Sequence, residues 1–94
     1  MGYQALFANG DGSKSVSIGH ATLANQDPSG ATDMHNVAVG FESGNDVTTG
    51  TLNTLVGSLA GDAITTGSGN TALGYNVAFS AVGAANQTVI GNGA

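Results

Sequence analysis

Cysteine and tryptophan are absent, proline occurs once (Pro28), and Lys14 is the only basic side chain among 94 residues. Without cysteine there is no disulfide and no thiolate metal site to staple the chain. Set against that one cation are Asp11, Asp27, Asp33, Glu42, Asp46 and Asp62, for a net charge of −5. Such a balance excludes nucleic acid as a partner, because cationic side chains must replace the counterions condensed on phosphates. It equally excludes an anionic membrane surface. No apolar run approaches the ~20 residues of a membrane-spanning helix. Met1 is not followed by a basic and then apolar leader, so the expectation is a soluble chain made in the cytoplasm. Helix is also disfavoured: glycine makes up 16 of the 94 residues, each costs about 1 kcal/mol in a helix interior, and no stripe at helical spacing survives.

What is present is one phrase said over and over. Asn36-Val-Ala-Val-Gly40, Asn53-Thr-Leu-Val-Gly57, Asn70-Thr-Ala-Leu-Gly74 and Gln87-Thr-Val-Ile-Gly91 place their glycines 17 residues apart. Ser15-Val-Ser-Ile-Gly19 is the same phrase, and Gly2 stands 17 before Gly19; only the step from Gly19 to Gly40 is longer, at 21. A fixed period of this length is the signature of a stacked repeat architecture. The repeat spans a single domain, 1–94, with coils at about 2–18, 19–39 (carrying an enlarged loop, 26–33), 40–56, 57–73 and 74–90, and a C-terminal stub, 91–94. A Gly/Ser/Thr/Asn-rich linker would share the composition, but its hydrophobic residues, 40% of this chain, would not fall in register.

Within the phrase, the residue before the glycine is always a branched aliphatic: Ile18, Val39, Val56, Leu73 or Ile90. Two positions earlier stand Val16, Val37, Thr54, Thr71 and Thr88, all β-branched. These two files share one side of a strand, and Ser17, Ala38, Leu55, Ala72 and Val89 between them face the other way. Apolar groups on both sides predict a strand buried on both. Gly2, Gly19, Gly40, Gly57, Gly74 and Gly91 mark a sharp corner that only a residue without Cβ turns easily. A looser second strand is expected after each corner, at Tyr3–Phe7, His20–Ala24, Phe41–Ser43, Ser58–Ala60 and Tyr75–Phe79. Asn36, Asn53 and Asn70 are placed to stack as a ladder, each amide bonding its neighbours above and below. Layers at the ~4.8 Å strand spacing would build a post roughly 25 Å tall.

One such coil offers few aliphatic side chains, worth ~1.5–3 kcal/mol apiece when fully buried, against ~1–2 kcal/mol per residue of backbone ordering. Only one side of each strand can point into its own coil, so the other needs a partner surface. Small scaffolds without disulfides commonly meet this need by self-association, usually with closed cyclic symmetry. The expected packing residues are therefore Val16, Ser17, Ile18, Val37, Ala38, Val39, Leu55, Val56, Ala72, Leu73, Val89 and Ile90, shared between the coil interior and an obligate homo-oligomer interface.

Ser15-Val-Ser-Ile-Gly-His-Ala-Thr-Leu-Ala24 resembles the head repeat of the YadA-like trimeric autotransporter adhesins. Asn70-Thr-Ala-Leu-Gly-Tyr-Asn-Val-Ala78 is similar to the NTAxGYNAL repeats of phage tail fibres and related surface proteins. The resemblance covers nearly the whole chain and implies a left-handed parallel β-roll, a β-solenoid of about five coils, in which two further copies complete a homotrimer around a threefold axis. The adhesin head repeat is generally shorter than the period seen here. With no secretion signal, stalk or anchor in the sequence, a virion surface component (a tail fibre, spike or capsid decoration protein) is expected over an autotransporter. The resemblance carries no catalytic residues.

The chemical candidates are few. His20 and His35 fall at different places in the repeat with no third ligand recurring beside them, so they read as surface or interface residues; a histidine near a threefold axis would nevertheless meet two copies of itself. Asn9-Gly-Asp-Gly-Ser13 has the look of a calcium loop but has His20 where the twelfth-position glutamate belongs. Gly12-Ser-Lys-Ser15 lacks the phosphate-loop spacing, there is no Gly-x-Ser-x-Gly elbow, and Asn86-Gln-Thr88 is a formal glycosylation sequon without an export signal. Tyr3, Phe41 and Tyr75, with Phe7 and Phe79, are expected in the thin core, a sugar-stacking ledge being the alternative. An ice-binding Thr array is not expected, since its file is shared with Val16 and Val37 on a side taken as buried.

The sequence thus points to a non-enzymatic structural protein without cofactor or metal, located on a virion surface and attached to another virion or appendage protein. The alternative is an adhesive head on a bacterial cell surface that binds a host glycan or matrix protein.

Overall fold

Short runs of β-branched and aliphatic residues, each ended by a glycine corner, leave room only for strands of two or three residues. In the computed structural model, which describes residues 1–94, these are β1 (Gly12–Ser13), β2 (Val16–Ile18), β3 (Thr32–Asp33), β4 (Val37–Val39), β5 (Thr54–Val56), β6 (Thr71–Leu73) and β7 (Thr88–Ile90). There is no helix. Five of the strands stack as one parallel sheet in the order β2-β4-β5-β6-β7. Its register follows the repeat, with Val16, Val37, Thr54, Thr71 and Thr88 as successive partners. Parallel neighbours one coil apart in sequence define a β-solenoid of about five turns, 32 × 26 × 16 Å.

The period-two rule decides what is inside. Ala38, Leu55 and Ala72 are fully buried, Ser17 nearly so, and Val89 half-buried against the same core. Leu23, Val47, Ala60, Ile64, Val77 and Ala84 fill the rest of it from the other two sides of the coil. The flanking files are the side expected to need a partner surface, and they are open in the single chain. Val16 is 47% exposed, Ile18 40%, Leu73 48% and Ile90 65%, and Val37, Val39 and Val56 are half-buried. A coil has only one interior, and nothing in a single chain lies over the outer side.

The second strand of each coil is corrected. Tyr3–Phe7 and its counterparts are turns, with Val77–Phe79 irregular, and none is a strand. Gln4, Ala21, Glu42, Leu59 and Asn76, two residues past each corner, take φ between 53° and 60°, and Leu6, Leu23, Gly44 and Gly61, two further on, take φ between 48° and 60°. Alternating hand bends the backbone and prevents a pleat. The layers still bond to one another there, Leu6 N donating to Thr22 O at 3.0 Å and Glu42 N to His20 O at 2.9 Å. At the corners themselves, Gly40 has φ +127° and a Cβ on it would meet the Gly57 carbonyl carbon at 2.6 Å. The repeated glycine is therefore required twice over, by handedness and by the approach of the next layer.

The enlarged loop is more ordered than its length implies. Its last residues form β3, which pairs with β1 in parallel, Gly12 with Thr32 and Ser13 with Asp33. Ser13 Oγ donates to Asp33 Oδ1 at 2.9 Å, and Lys14 Nζ donates to Asp33 Oδ2 at 2.9 Å.

Candidate functional site

The outer side of the sheet is the feature the fold exposes most systematically. Because each strand has three residues, its first and last side chains both point outward. They form one file of Val16, Val37, Thr54, Thr71 and Thr88 beside another of Ile18, Val39, Val56, Leu73 and Ile90. None of these residues is charged. The only polar groups on the face are the hydroxyls of three threonines, neighbours in successive layers. The Thr file, expected on a buried side with Val16 and Val37, lies outside the coil, where Thr54 and Thr88 are exposed in the single chain.

Around the glycine corner the same surface continues as an aromatic file. Tyr3 stacks on His20 with centroids 5.2 Å apart and planes at 24°, and His20 on Phe41 at 5.4 Å and 17°. The placement of aromatics in the core is corrected: Tyr3 is 70% exposed and Phe7 73%, and Phe41 and Tyr75 are about half exposed. Only Phe79 packs against the core. The position after the glycine points away from the coil, so these rings cannot enter it. Rings that stack on one another leave mainly their edges to an approaching sugar, which weakens the ledge as a carbohydrate platform.

The asparagine ladder is present and fully buried at Asn36, Asn53 and Asn70, but its bonding differs from side-chain pairing. Asn36 Oδ1 accepts from Asn53 N at 2.9 Å, Asn53 Oδ1 from Asn70 N at 3.0 Å, and Asn70 Oδ1 from Gln87 N at 3.0 Å. The amide nitrogens donate inward across the coil, Asn36 Nδ2 to Gly50 O at 2.8 Å and Asn53 Nδ2 to Gly67 O at 2.9 Å. Each asparagine thus ties two layers and two sides of the coil. At the top, Asn36 also donates to buried Gln26, which donates in turn to Asn9. No buried side-chain polar atom lacks a partner.

The remaining candidates stay dispersed. No three His, Asp or Glu side chains come together as a metal-binding group. Asn9 closes its turn by donating to Gly12 O at 2.8 Å. Hydrogen bonds from Lys14 and Ser13 hold the exposed Asp33 carboxyl below its ordinary value of 3.8. Sequence reasoning overlooked the second half of the core. Val47 and Ile64 carried a signal, being 17 apart, and so did Leu23, 17 after Leu6, and Val77, 17 after Ala60, although these last two lie in segments whose turns no strand pattern predicts.

No described protein family, no curated protein and no solved structure matches this chain.

Proposed function

We propose that this chain is a non-enzymatic structural protein that associates through its outer sheet face with two further copies, giving a left-handed, trimeric β-roll. We place it on a virion surface, as a tail-fibre or spike element or a capsid decoration protein bound to another virion protein. The observation that carries the association is the face itself, ten outward positions on five strands without one charge. A contiguous exposed apolar patch marks an interaction surface, and interface cores are depleted in charge as this face is. The carboxylates of Asp27, Asp46 and Asp62 lie outside these strands, where they favour solubility. Threefold order, handedness and the virion setting rest on the resemblance of the repeat to trimeric adhesin heads and phage fibres. Ser13, a hydroxyl bonded to a carboxylate, is paired with an exposed Asp33 already held by Lys14, and such a solvated ion pair supports a structural role over an enzymatic one.

An adhesive head on a bacterial surface is the second reading, favoured by the exposed ring of Tyr75, which lies outside the Tyr3–His20–Phe41 stack. Light scattering on the purified chain tests the association. The expected mass at micromolar concentration is three chains, and Val56→Lys, which puts a charge in the middle of the face, gives a folded single chain. A wild-type chain that is folded and monomeric refutes the proposal. Fixed stoichiometry on purified particles supports the structural role; retention on a glycan array supports the adhesive one.

A further inference from the structure

The column of residues that follow the corner glycines is a run of rings with one gap. In layer order it reads Tyr3, His20, Phe41, Ser58, Tyr75. The main chain beneath it keeps step from layer to layer, Leu59 N donating to Phe41 O at 2.8 Å and Asn76 N to Ser58 O at 2.9 Å. The first three side chains lie one on another, and Phe41 meets His20 at 5.4 Å with planes at 17°. His20 therefore covers one face of Phe41, and the other face is turned toward the Ser58 layer. Tyr75 stands one layer beyond Ser58 and is 53% exposed. A hydroxymethyl group fills little of the space that a ring takes up in the layers above. The column thus holds a slot with Phe41 on one side, Tyr75 on the other and Ser58 at its base.

The width of the slot selects what fits. Two layers at the strand spacing of ~4.8 Å set Phe41 and Tyr75 roughly 10 Å apart. A flat ring in van der Waals contact on both sides needs only about 7–8 Å. A pyranose is puckered and carries hydrogens above and below its mean plane, so it is the thicker occupant and fills the remainder. Aromatic faces are electron-rich, and the C–H groups of a sugar are weakly positive, so contact is favourable wherever a sugar face is free of hydroxyls. Both faces are free only when every substituent is equatorial, as in a β-glucoside; the axial 4-hydroxyl of a galactoside puts an oxygen on one of them. Charge narrows the choice further. Glu42 follows Phe41, and the chain's one cation, Lys14, is already paired with Asp33, so an anionic sugar is disfavoured. Ser58 and the exposed Asn76 beside Tyr75 carry groups that bond sugar hydroxyls.

We infer that the slot between Phe41 and Tyr75, above Ser58, binds one neutral pyranose unit of β-gluco configuration, with an aromatic ring against each of its faces. The inference rests on the adhesive reading and gives it a subsite and a sugar class. It differs from a ledge along the Tyr3–His20–Phe41 stack, whose inner faces are occupied by one another. It is also separate from the lateral sheet face, because the column lies past the corner glycines and outside the strands.

The test is saturation-transfer NMR on the full chain with methyl β-D-glucopyranoside, and with methyl β-D-galactopyranoside for comparison. Transfer is expected to the axial ring protons on both faces of the glucoside, and about fivefold more weakly to the galactoside, which offers one free face. Phe41→Ala and Tyr75→Ala each remove a wall and should cut the glucoside signal about fivefold, whereas Tyr3→Ala, two layers from the slot, retains it. Ser58→Phe supplies the missing ring. It is expected to keep the circular dichroism spectrum and a melting temperature no lower than that of the wild type, and to abolish binding. Tyr75 is exposed, so its truncation leaves the core intact and decides the matter even if Ser58→Phe does not fold. No transfer from the wild-type chain, equal transfer to the two sugars, or a glucoside signal that survives both Tyr75→Ala and a folded Ser58→Phe overturns the inference. Retention on a glycan array undiminished by these substitutions would overturn the slot and leave the adhesive reading standing.

Discussion

Asn53 is the residue at which the layered construction is most exposed to test. Its side chain is fully buried and serves two backbone groups, accepting from Asn70 N at 3.0 Å and donating to Gly67 O at 2.9 Å. Asn53→Ala leaves both groups buried without a partner and opens a small void. Each orphaned group costs about 1–3 kcal/mol, so the loss is about 2–6 kcal/mol, a large fraction of the 5–15 kcal/mol typical of a domain. With a urea slope of about 2 kcal/mol/M for a chain of this size, the midpoint falls by roughly 1–3 M. Gln87→Ala is the control, since that side chain ends the ladder on an exposed bond to Ser80, and it should cost less than about 1 kcal/mol. The assay is urea unfolding followed by circular dichroism, with all proteins at one concentration because self-association adds to apparent stability. Equal losses for the two variants would refute the claim that the buried amides bind the layers together.

Three further outcomes follow from other parts of the fold. Leu55→Ala empties the middle of the core, where Leu55 is fully buried, and should cost about 2–5 kcal/mol in the same assay; a loss under 1 kcal/mol would place that side chain elsewhere. Gly40→Ala forces a Cβ to within 2.6 Å of the Gly57 carbonyl carbon at φ +127° and should abolish the cooperative transition, whereas Gly30→Ala, which meets nothing, should leave it unchanged. Asp33 has a folded pKa below 3.8 because Lys14 and Ser13 hydrogen-bond its ionised form. Its contribution is therefore complete above the unfolded value and is lost as pH falls through the folded one. Asp33→Asn should flatten the stability profile only below about pH 4 and lower it by a small constant amount above that, small because the pair is solvent-exposed; a change of slope above pH 6 would contradict the assignment.

Much of the architecture was legible because the repeat is strict. A 17-residue spacing of Asn-x-x-aliphatic-Gly leaves few ways to place the same residues in the same environment, and stacking in register is the simplest. That made the five-stranded sheet, its registers, the corner glycines and the stacking of Asn36, Asn53 and Asn70 readable in advance. The inward file of Ala38, Leu55 and Ala72 could be separated from its flanks by the period of two. Which of the two sides faced the core could not, since Leu55 and Val56 are equally apolar. Closure of the coil settled it. The turns at Gln4, Ala21, Leu23 and Leu59 left no sequence mark, because those residues do not prefer positive φ. They adopt it where hydrogen bonds to the adjoining layers hold it in place.

The sequence alone determined that the chain stacks, because identical residues at a constant interval must meet their counterparts one layer away. Tertiary structure decided what that stacking leaves uncovered: the outer sheet face and the stacked rings of Tyr3, His20 and Phe41. Exposure depends on which way a coil closes and on what its neighbours occupy, and neither is encoded in any single repeat.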